Sequence, residues 1–299
     1  MKRIKATTAV FKMSPNNKPV ESVNSGDVVV FETYDCFSNS IKKEEQLFST
    51  VGWELINPAT GPLYINDAEA GDILKIDVLD ISVKDQGVMT TAPKLGVLGD
   101  LIPNEKTKII PIVNGEAVFN EKIKVSINPM IGVIGTAPKE DEISTGTPGG
   151  HGGNMDCKRI VKGATLYLPV NVEGGLLAMG DLHALMGDGE IVICGVEISG
   201  EITIKVTVLK NIELPLPMLV EGDEIMTIAS EVSLDDAAIM ATKQMHSFLT
   251  KELKMDIHEA GMLLSMVGNL KICQVVDPLK TARMELPLWI LDIYNYILK

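Results

Sequence analysis

Short runs of β-branched and aliphatic residues recur along the first two thirds of the chain. Five of them stand out, at residues 28–31, 73–78, 123–127, 191–198 and 202–208. Gly, Pro, Asn or Asp flank the runs, and several alternate apolar with polar positions, which is typical of antiparallel strands with one solvated face. We therefore predict a β-rich sandwich or barrel region over residues 1–210.

The pattern changes after residue 210. Pro215 and Pro217 form a stiff connector, and Ser233 is a candidate N-cap with Asp236 at the third helical position. The hydrophobic spacing then predicts a helix over 233 to about 253, a second helix over 256–267 and a buried strand over 272–278. Residues 211–299 are thus predicted to be an α+β region that packs on the first, in a chain that is mainly β.

The composition supplies ample core material, since 45% of the residues are hydrophobic. No apolar run approaches the length of a membrane span, and the first residues carry charge without an export-type hydrophobic stretch. We expect a cytoplasmic protein that does not enter a membrane. The net charge of -13 argues against nucleic-acid binding, which requires clustered Lys and Arg.

The most concentrated chemistry lies at residues 180–190, where four ionisable side chains and three glycines follow one another. Asp181 and His183 stand two apart, so an extended backbone points both to one face, as two ligands of a single cation or an acid–histidine pair require. Glu190 ends the segment. Taken alone, this segment indicates a metal site and no particular reaction.

Two further segments carry candidate residues. The glycine-rich stretch 147–158 offers His151, Asn154 and Asp156, and its glycines let backbone N–H groups approach a small ligand, although a solvated surface loop fits the composition equally. Asp35 follows an apolar strand at a predicted sheet edge, where it either lines a site or caps the backbone donors of an ordinary turn. The chain lacks a G-x-S-x-G elbow and a P-loop, whereas mixed His and carboxylate residues suit a zinc-type Lewis acid that activates water.

Several separated motifs resemble those of the acetamidase/formamidase family in order and spacing. The resemblance rests on Gly152-Gly153-Asn154-Met155-Asp156-Cys157-Lys158, Leu166-Tyr167-Leu168-Pro169-Val170, Gly180-Asp181-Leu182-His183 and Gly187-Asp188-Gly189-Glu190. It extends to Glu32-Thr33 with Asp35-Cys36-Phe37, to Asn57-Pro58-Ala59-Thr60-Gly61-Pro62, to Ile134-Gly135-Thr136-Ala137-Pro138 and to Cys273-Gln274-Val275-Val276-Asp277-Pro278. After the aspartate near position 35, family members often continue as Phe-Gly-Gly-Gln or Phe-Ser-Gly-Gln. This chain instead has Phe37-Ser38-Asn39-Ser40 at that place.

The resemblance implies hydrolysis of a short carboxamide, formamide or acetamide, to ammonia and the carboxylate. It also implies jelly-roll-like sandwich parts and a homo-oligomer, with a dimer expected. On these positions we build a mechanistic hypothesis, in which a divalent cation, expected to be Zn²⁺, is bound by four residues, Asp181, His183, Asp35 and His151. Glu190 is the expected general base, Asn154 and the N–H groups of residues 152 and 153 hold the oxyanion, and Asp156 orients a ligand or the substrate.

Two alternatives remain open at this point. Cys36 or Cys157 could attack the amide without a metal, activated by His151 or His183. The four cysteines show no C-x-x-C pair, and buried small residues are their simplest interpretation. Alternatively, the chain could be a β-sandwich binding protein whose acidic loops hold Ca²⁺ structurally, and a structural Ca²⁺ could also coexist with a catalytic metal.

Overall fold

Strands dominate the regular structure, as the hydrophobic pattern predicts. The computed structural model describes all 299 residues, Met1–Lys299. Strands take up 39% of them and helices 14%, so the prediction of a mainly β chain is confirmed.

The chain forms twenty-one strands and three α-helices. The first eleven strands are β1 Lys2–Ile4, β2 Lys12–Met13, β3 Glu21–Val23, β4 Val28–Thr33, β5 Ala59–Ile65, β6 Ile73–Val83, β7 Gln86–Thr91, β8 Lys106–Val113, β9 Glu116–Val118, β10 Lys124–Ser126 and β11 Met130–Gly135. The other ten are β12 Ile143–Ser144, β13 Gly152–Asn154, β14 Thr165–Pro169, β15 Leu177–His183, β16 Glu197–Ile198, β17 Gly200–Leu209, β18 Met218–Glu221, β19 Glu224–Glu231, β20 Asn269–Gln274 and β21 Lys280–Pro287. The helices are α1 Leu234–Lys251, α2 Ile257–Val267 and α3 Trp289–Ile293, with short 3₁₀ turns at Ala6–Thr8, Phe48–Thr50 and Trp53–Leu55.

Two large sheets organise these strands. The nine-stranded sheet has the order β1-β4-β17-β6-β14-β18-β19-β21-β20. The ten-stranded sheet runs β10-β9-β8-β7-β16-β15-β11-β13, with β5 joining β15 and β3 joining β5. Nearly all pairings are antiparallel, which agrees with the alternating patterns in the sequence.

Both sheets contribute to one core of 35 buried residues. Ile76 and Ile204 come from the nine-stranded sheet, and Ile131 and Leu182 come from the ten-stranded sheet. Since the apolar faces of both sheets are buried in this core, the arrangement is a β-sandwich.

A second core lies at the C-terminal end of the nine-stranded sheet. Met245, Phe248 and Leu249 of α1 pack there against Ile225 and Leu286 of the sheet. The strands after residue 210 continue this sheet, because β18 pairs directly with β14. No helix of the protein is long and apolar enough to cross a membrane.

The strand predicted over 272–278 forms only in part, because β20 ends at Gln274 and residues 275–278 form bends. The strand predicted over 191–198 is wrong. Residues 191–198 form turns, and only Glu197–Ile198 pairs as a strand. Ile193 has a φ of +88°, which interrupts an extended backbone. Ile191, Val192 and Cys194 line a cavity of about 470 Å³, while Val196 and Ile198 pack into the main core.

Candidate functional site

The centre of the candidate site is His183, the last residue of β15. Its Nε2 lies 3.1 Å from Oε1 of Glu197, 3.5 Å from Oδ1 of Asp181 and 3.7 Å from Oδ1 of Asp156. All four side chains are buried. Asp181 and His183 therefore meet, and two further acids, Asp156 and Glu197, join them. The extended backbone that their spacing suggested is not formed at Asp181, whose φ is +53°.

The ionisable groups fall into two sets that could each hold an ion. Ligand atoms of Asp156, His183 and Glu190 lie within 4.8 Å of one another, and those of Cys36, Asp181 and Glu197 do the same. The second set neighbours the first through the contacts of His183 with Asp181 and Glu197. The site thus gathers residues from five separate positions of the first two thirds of the chain.

Three of these acids hold strained backbone conformations. Asp156, Asp181 and Glu190 have φ values of +41°, +53° and +49°, in the left-handed region that side chains other than glycine seldom adopt. Each such residue costs on the order of 1–3 kcal/mol, and strain of this kind clusters at functional sites. Packing of the surrounding β-sandwich keeps these three residues in their strained backbone conformations.

Two glycines leave the space that the cluster occupies. A Cβ at Gly132 would lie 2.5 Å from Oδ1 of Asp156 and 2.7 Å from Oδ2 of Asp181. A Cβ at Gly195 would lie 2.5 Å from Nδ1 of His183. Any side chain at either position would displace these groups, so both glycines are required by close approach.

The C-terminal region supplies a further acid, Asp277. Its Oδ2 accepts a hydrogen bond of 2.9 Å from Nδ2 of Asn154, and its own N–H donates to Oε1 of Gln274 at 3.0 Å. Neither Asp277 nor Glu197 was among the site residues predicted from the sequence. For Asp277 a signal existed, because it lies in one of the motifs that carry the family resemblance. Glu197 lies within a run that read as ordinary strand.

A buried ion-pair network fixes the loop that carries Glu190. Arg283 of β21 donates from Nη1 and Nη2 to the two carboxylate oxygens of Asp188, at 2.7 and 2.9 Å, and from Nε to Glu285 at 2.8 Å. The N–H of Gly189 donates to the carbonyl of Cys273 at 2.8 Å. The loop before Glu190 is therefore held against the C-terminal strands.

The accumulated carboxylates shape the electrostatics of the site. Burial, reinforced by neighbouring acids, raises the pKa values of Asp156 and Glu190 well above their ordinary range, and burial raises that of Glu197 to about 7. Burial by itself lowers the pKa of His183, but the carboxylates of Glu197 and Asp181 outweigh it and raise that pKa well above its usual value. A positive charge placed among these groups is strongly favoured.

Several buried atoms of the cluster lack a hydrogen-bond partner. They are both carboxylate oxygens of Asp156, Oδ1 of Asp181, Nδ1 of His183, Oε2 of Glu190 and Oε2 of Glu197. Unpartnered buried polar atoms are costly and rare, and each calls for an explanation. Carboxylate oxygens around one imidazole are a suitable donor set for a divalent cation, so the residues present fit a metal.

Asp35 lies near the cluster but in a different role. Its Oδ1 accepts hydrogen bonds from the N–H groups of Phe37 and Asn39, at 3.0 and 2.7 Å. Burial raises its pKa to about 6, with a further contribution from Asp181. Asp35 belongs to neither set of potential ligands. Its contacts are those of the turn cap that the sequence analysis left open.

His151 is likewise buried, yet the structure does not bring it into either set of potential ligands. Burial alone lowers its pKa to about 4, without a contribution from a charged neighbour. The N–H of Gly152 donates to the carbonyl of Gly149 at 3.0 Å, so it is not directed at a ligand as we expected. This glycine-rich loop contributes to the cluster through Asp156 and Asn154.

A cavity of about 570 Å³ opens onto the cluster. Its polar lining includes Asn154, Asp181, Glu190, Glu197 and Asp277. A volume of this size is typical of small-molecule sites.

A sequence profile described as the Acetamidase/Formamidase family matches residues 5–145 and 139–222, well over half of the chain. The chain belongs to the acetamidase/formamidase family. The predicted resemblance is thereby confirmed.

Solved structures of this family resemble the chain closely. An acetamidase from Bacillus halodurans is 51% identical, with a TM-score of 0.97 over 98% of this chain and 99% of that one. A protein described as an acetamidase/formamidase from Thermoanaerobacter tengcongensis is 46% identical, with a TM-score of 0.97 over 99% of both chains.

Curated relatives are more distant and longer. A formamidase from Methylophilus methylotrophus is 27% identical over 256 residues, which cover 66% of this chain and 63% of the relative. The chain spans between 53% and 65% of the length of the curated relatives it matches.

Proposed function

We propose that the chain is an amidohydrolase that cleaves carboxamides to ammonia and the carboxylate. The observation that carries this proposal is the buried cluster of Asp156, Asp181, His183, Glu190 and Glu197 at the end of a ligand-sized cavity. Relatives named acetamidase and formamidase support the same chemistry. Formamide and acetamide are the simplest candidate substrates.

Asp181, His183, Asp156 and Glu197 are the residues that would hold a divalent cation, and Zn²⁺ suits their mixed donor set. Such a cation polarises a carbonyl and lowers the pKa of water toward neutrality. The unpartnered oxygens of the cluster support this assignment. The sequence predicted Asp35 and His151 as the third and fourth ligands. In the proposed site Asp156 and Glu197 take their place, because both lie within 3.7 Å of His183.

Glu190 remains the proposed general base. Burial and neighbouring acids raise the pKa of its carboxyl, which brings a Glu closer to the range in which it accepts a proton from water and passes it to the departing ammonia. Asn154 lines the cavity with its amide fixed by Asp277, so it is placed to orient the substrate amide. Asp156, which we expected to orient a ligand or the substrate, is instead assigned to the cation itself, because its Oδ1 lies 3.7 Å from Nε2 of His183 and both of its carboxylate oxygens lack a hydrogen-bond partner.

The cysteine alternative is less well supported. Cys36 lines the cavity, but burial and the nearby acids Glu197 and Asp181 raise the pKa of its thiol, which disfavours a thiolate. Cys157 is fully buried and does not line the cavity. A purely structural Ca²⁺ role, the other alternative, predicts an acidic site without amide turnover.

A His183→Ala variant tests the proposal, with His258→Ala on the exposed surface of α2 as its control. Metal content and ammonia release from formamide and acetamide are measured on both. We expect His183→Ala to lose bound metal and activity together, while His258→Ala keeps both. An active His183→Ala protein free of metal, or activity that thiol alkylation abolishes and chelation leaves intact, would contradict the proposal.

Two further features belong to the same proposal. We expect a homo-oligomer, a dimer in the simplest case, and exposed apolar side chains on α2 and β20, such as Met262, Met266 and Leu270, offer a surface for it. Sedimentation equilibrium measures the assembly mass.

A cytoplasmic location fits four cysteines that are all free, since reducing compartments keep thiols unpaired.

A further inference from the structure

The cavity is much larger than the amides that give the family its name. Acetamide is about as large as three or four water-sized groups, roughly 100 Å³ on a scale of about 30 Å³ for each water. The cavity measures about 570 Å³. Even with a cation and its waters in place, most of this volume would lie unused around acetamide.

The lining divides into two chemically different parts. The carboxylates and the Asn154 amide lie together at the cluster, where an amide group would react. Away from the cluster, six large apolar side chains form one wall of the cavity, and small or polar residues such as Asn57, Thr90, Ser144 and Thr147 complete the lining. The six are Phe37, Phe48, Trp53, Ile56, Leu95 and Ile193. An amide group held at the cluster would therefore direct its acyl substituent along this wall.

Aromatic rings are concentrated on that wall. The chain contains six Phe, five Tyr and two Trp, and three of these thirteen aromatic residues line the cavity. Phe48 packs edge-to-face on Trp53 with ring centroids 5.0 Å apart, and Phe37 on Phe48 with centroids 6.1 Å apart. The Phe37 and Phe48 rings are buried, but Trp53 is 64% exposed, so one face of the aromatic stack is available to a ligand.

Charge on the wall excludes an acidic substituent. Lys280 is the only cationic side chain that lines the cavity, and its Nζ donates to the backbone carbonyl of Asp277. An anionic acyl group on the apolar wall would be repelled across the cavity by the carboxylates of Asp181, Glu190 and Glu197 at the cluster. The acyl substituent that fits is uncharged and apolar.

We propose that this site takes carboxamides with an uncharged acyl group larger than acetyl, aromatic or branched, which packs against Phe48 and Trp53. This inference rests on the proposed amidohydrolase function and specifies its substrate class. A bulky apolar acyl group would cover the exposed face of Trp53 and exclude water from the cluster, whereas acetamide would leave that face solvated.

The first test compares kcat/KM for formamide, acetamide, isobutyramide and phenylacetamide on the metal-loaded protein. We expect phenylacetamide or isobutyramide to exceed acetamide by about tenfold or more, because each methylene bound in an apolar pocket changes discrimination by roughly tenfold or more. A value for acetamide or formamide equal to or above both larger amides overturns the inference and leaves the proposed function standing.

A binding measurement tests the inference independently of turnover. The chain has two tryptophans, so Trp289→Phe leaves Trp53 as the only one, and Trp289 does not line the cavity. Titration of this variant with phenylacetamide should change Trp53 fluorescence at concentrations about tenfold lower than acetamide requires. If no amide is hydrolysed, the proposed function fails, and this titration still decides whether the wall binds apolar acyl groups. An unchanged Trp53 signal with both amides overturns the inference.

Substitutions of Trp53 provide a third test of the proposed substrate class. Trp53→Ala should lower kcat/KM for phenylacetamide about two- to tenfold more than for acetamide, since aromatic contacts of this kind add that much to binding. Trp53→Phe should restore most of the difference, and Trp289→Ala, on the exposed surface of α3, should leave the ratio of the two substrates unchanged. An equal effect of Trp53→Ala on both substrates contradicts the proposal.

Discussion

At the scale of single residues, the site depends on glycines, which have no side chain, as much as on the residues that carry the chemistry. Gly132 lies in β11 directly beside the carboxylates of Asp156 and Asp181, and its lack of a side chain lets them converge. A residue of this kind carries no chemistry of its own. Its role is to permit a distance between two acids.

Gly132→Ala should therefore reduce amide hydrolysis about tenfold or more while the protein remains folded. The added Cβ would lie 2.5 Å from Asp156 and 2.7 Å from Asp181, so both carboxylates must move, and small misplacements at a reacting centre are costly. Gly150→Ala, whose Cβ would meet no atom within 4 Å, is the matched control. Activity of Gly132→Ala equal to that of this control would show that the spacing of the two acids is unimportant.

His151 should make stability depend on pH. Burial lowers its pKa in the folded protein to about 4, against an ordinary value of about 6.5 in the unfolded chain. As the pH falls from about 6.5 to about 4, His151 therefore binds a proton in the unfolded chain but not in the folded protein. The free energy of unfolding decreases by up to about 3 kcal/mol across that range. Above pH 6.5 the effect is absent.

Urea unfolding of the natural chain and of a His151→Gln variant between pH 7.5 and 4.5 measures this difference. Subtracting the two curves isolates His151 from the carboxylates, whose pH dependence is common to both proteins. We expect the natural chain to lose more stability than the variant toward low pH. Parallel curves would mean that His151 is solvated, the alternative that the sequence alone left open.

At the scale of elements, local signals predict α1 and α2 well, whereas the short helix α3 was not predicted. Ser233 is the N-cap of α1, where its Oγ accepts a hydrogen bond of 3.1 Å from the N–H of Asp236. Asp256 does the same for α2, with hydrogen bonds from His258 and Glu259. Capping depends on neighbours within three residues, and for that reason the sequence predicts it.

Replacing Ser233 by Ala should lower the free energy of unfolding by about 1 kcal/mol, because one N–H group at the helix start loses its acceptor. Thermal or urea unfolding measures the change. Ser265→Ala, in the exposed last turn of α2, removes the same hydroxyl without removing an N-cap and should be neutral or slightly stabilising. Equal effects of the two substitutions would argue against the capping role of Ser233.

At the scale of the whole molecule, the fold concentrates negative charge in its interior. Asp156, Asp181, Glu190 and Glu197 are buried around a single imidazole, in a chain whose net charge is -13. Bringing these groups together opposes folding unless protons or a cation balance them. Binding of a cation to the folded state alone should thus stabilise the whole sandwich.

Removing metal with a chelator should lower the thermal midpoint by about 5–10 °C. At a free metal concentration about a hundredfold above Kd the linkage amounts to about 2.7 kcal/mol, and about 2–4 °C accompany each kcal/mol in a chain of this size. Differential scanning calorimetry with and without Zn²⁺ measures the shift, and His183→Ala should show a much smaller one. A natural chain with the same midpoint in both conditions would contradict a metal in this cluster.

The sequence alone determined what short-range geometry controls. Alternation along the chain predicts a mainly β protein, the clustered ionisable residues of 180–190 indicate that Asp181 and His183 belong to one site, and the ordered motifs identify the family. These features depend on residues that are close in the chain, so backbone periodicity is enough to predict them.

Only the tertiary structure decided which distant residues complete the site. Glu197 reaches His183 because β16 pairs with β15, and Asp277 reaches Asn154 from over a hundred residues away. Conversely, Asp35 caps a turn, and His151 lies outside the cluster although its loop supplies Asp156. The physical reason is that strand pairing and core packing are long-range, and they set side-chain distances that no local spacing encodes.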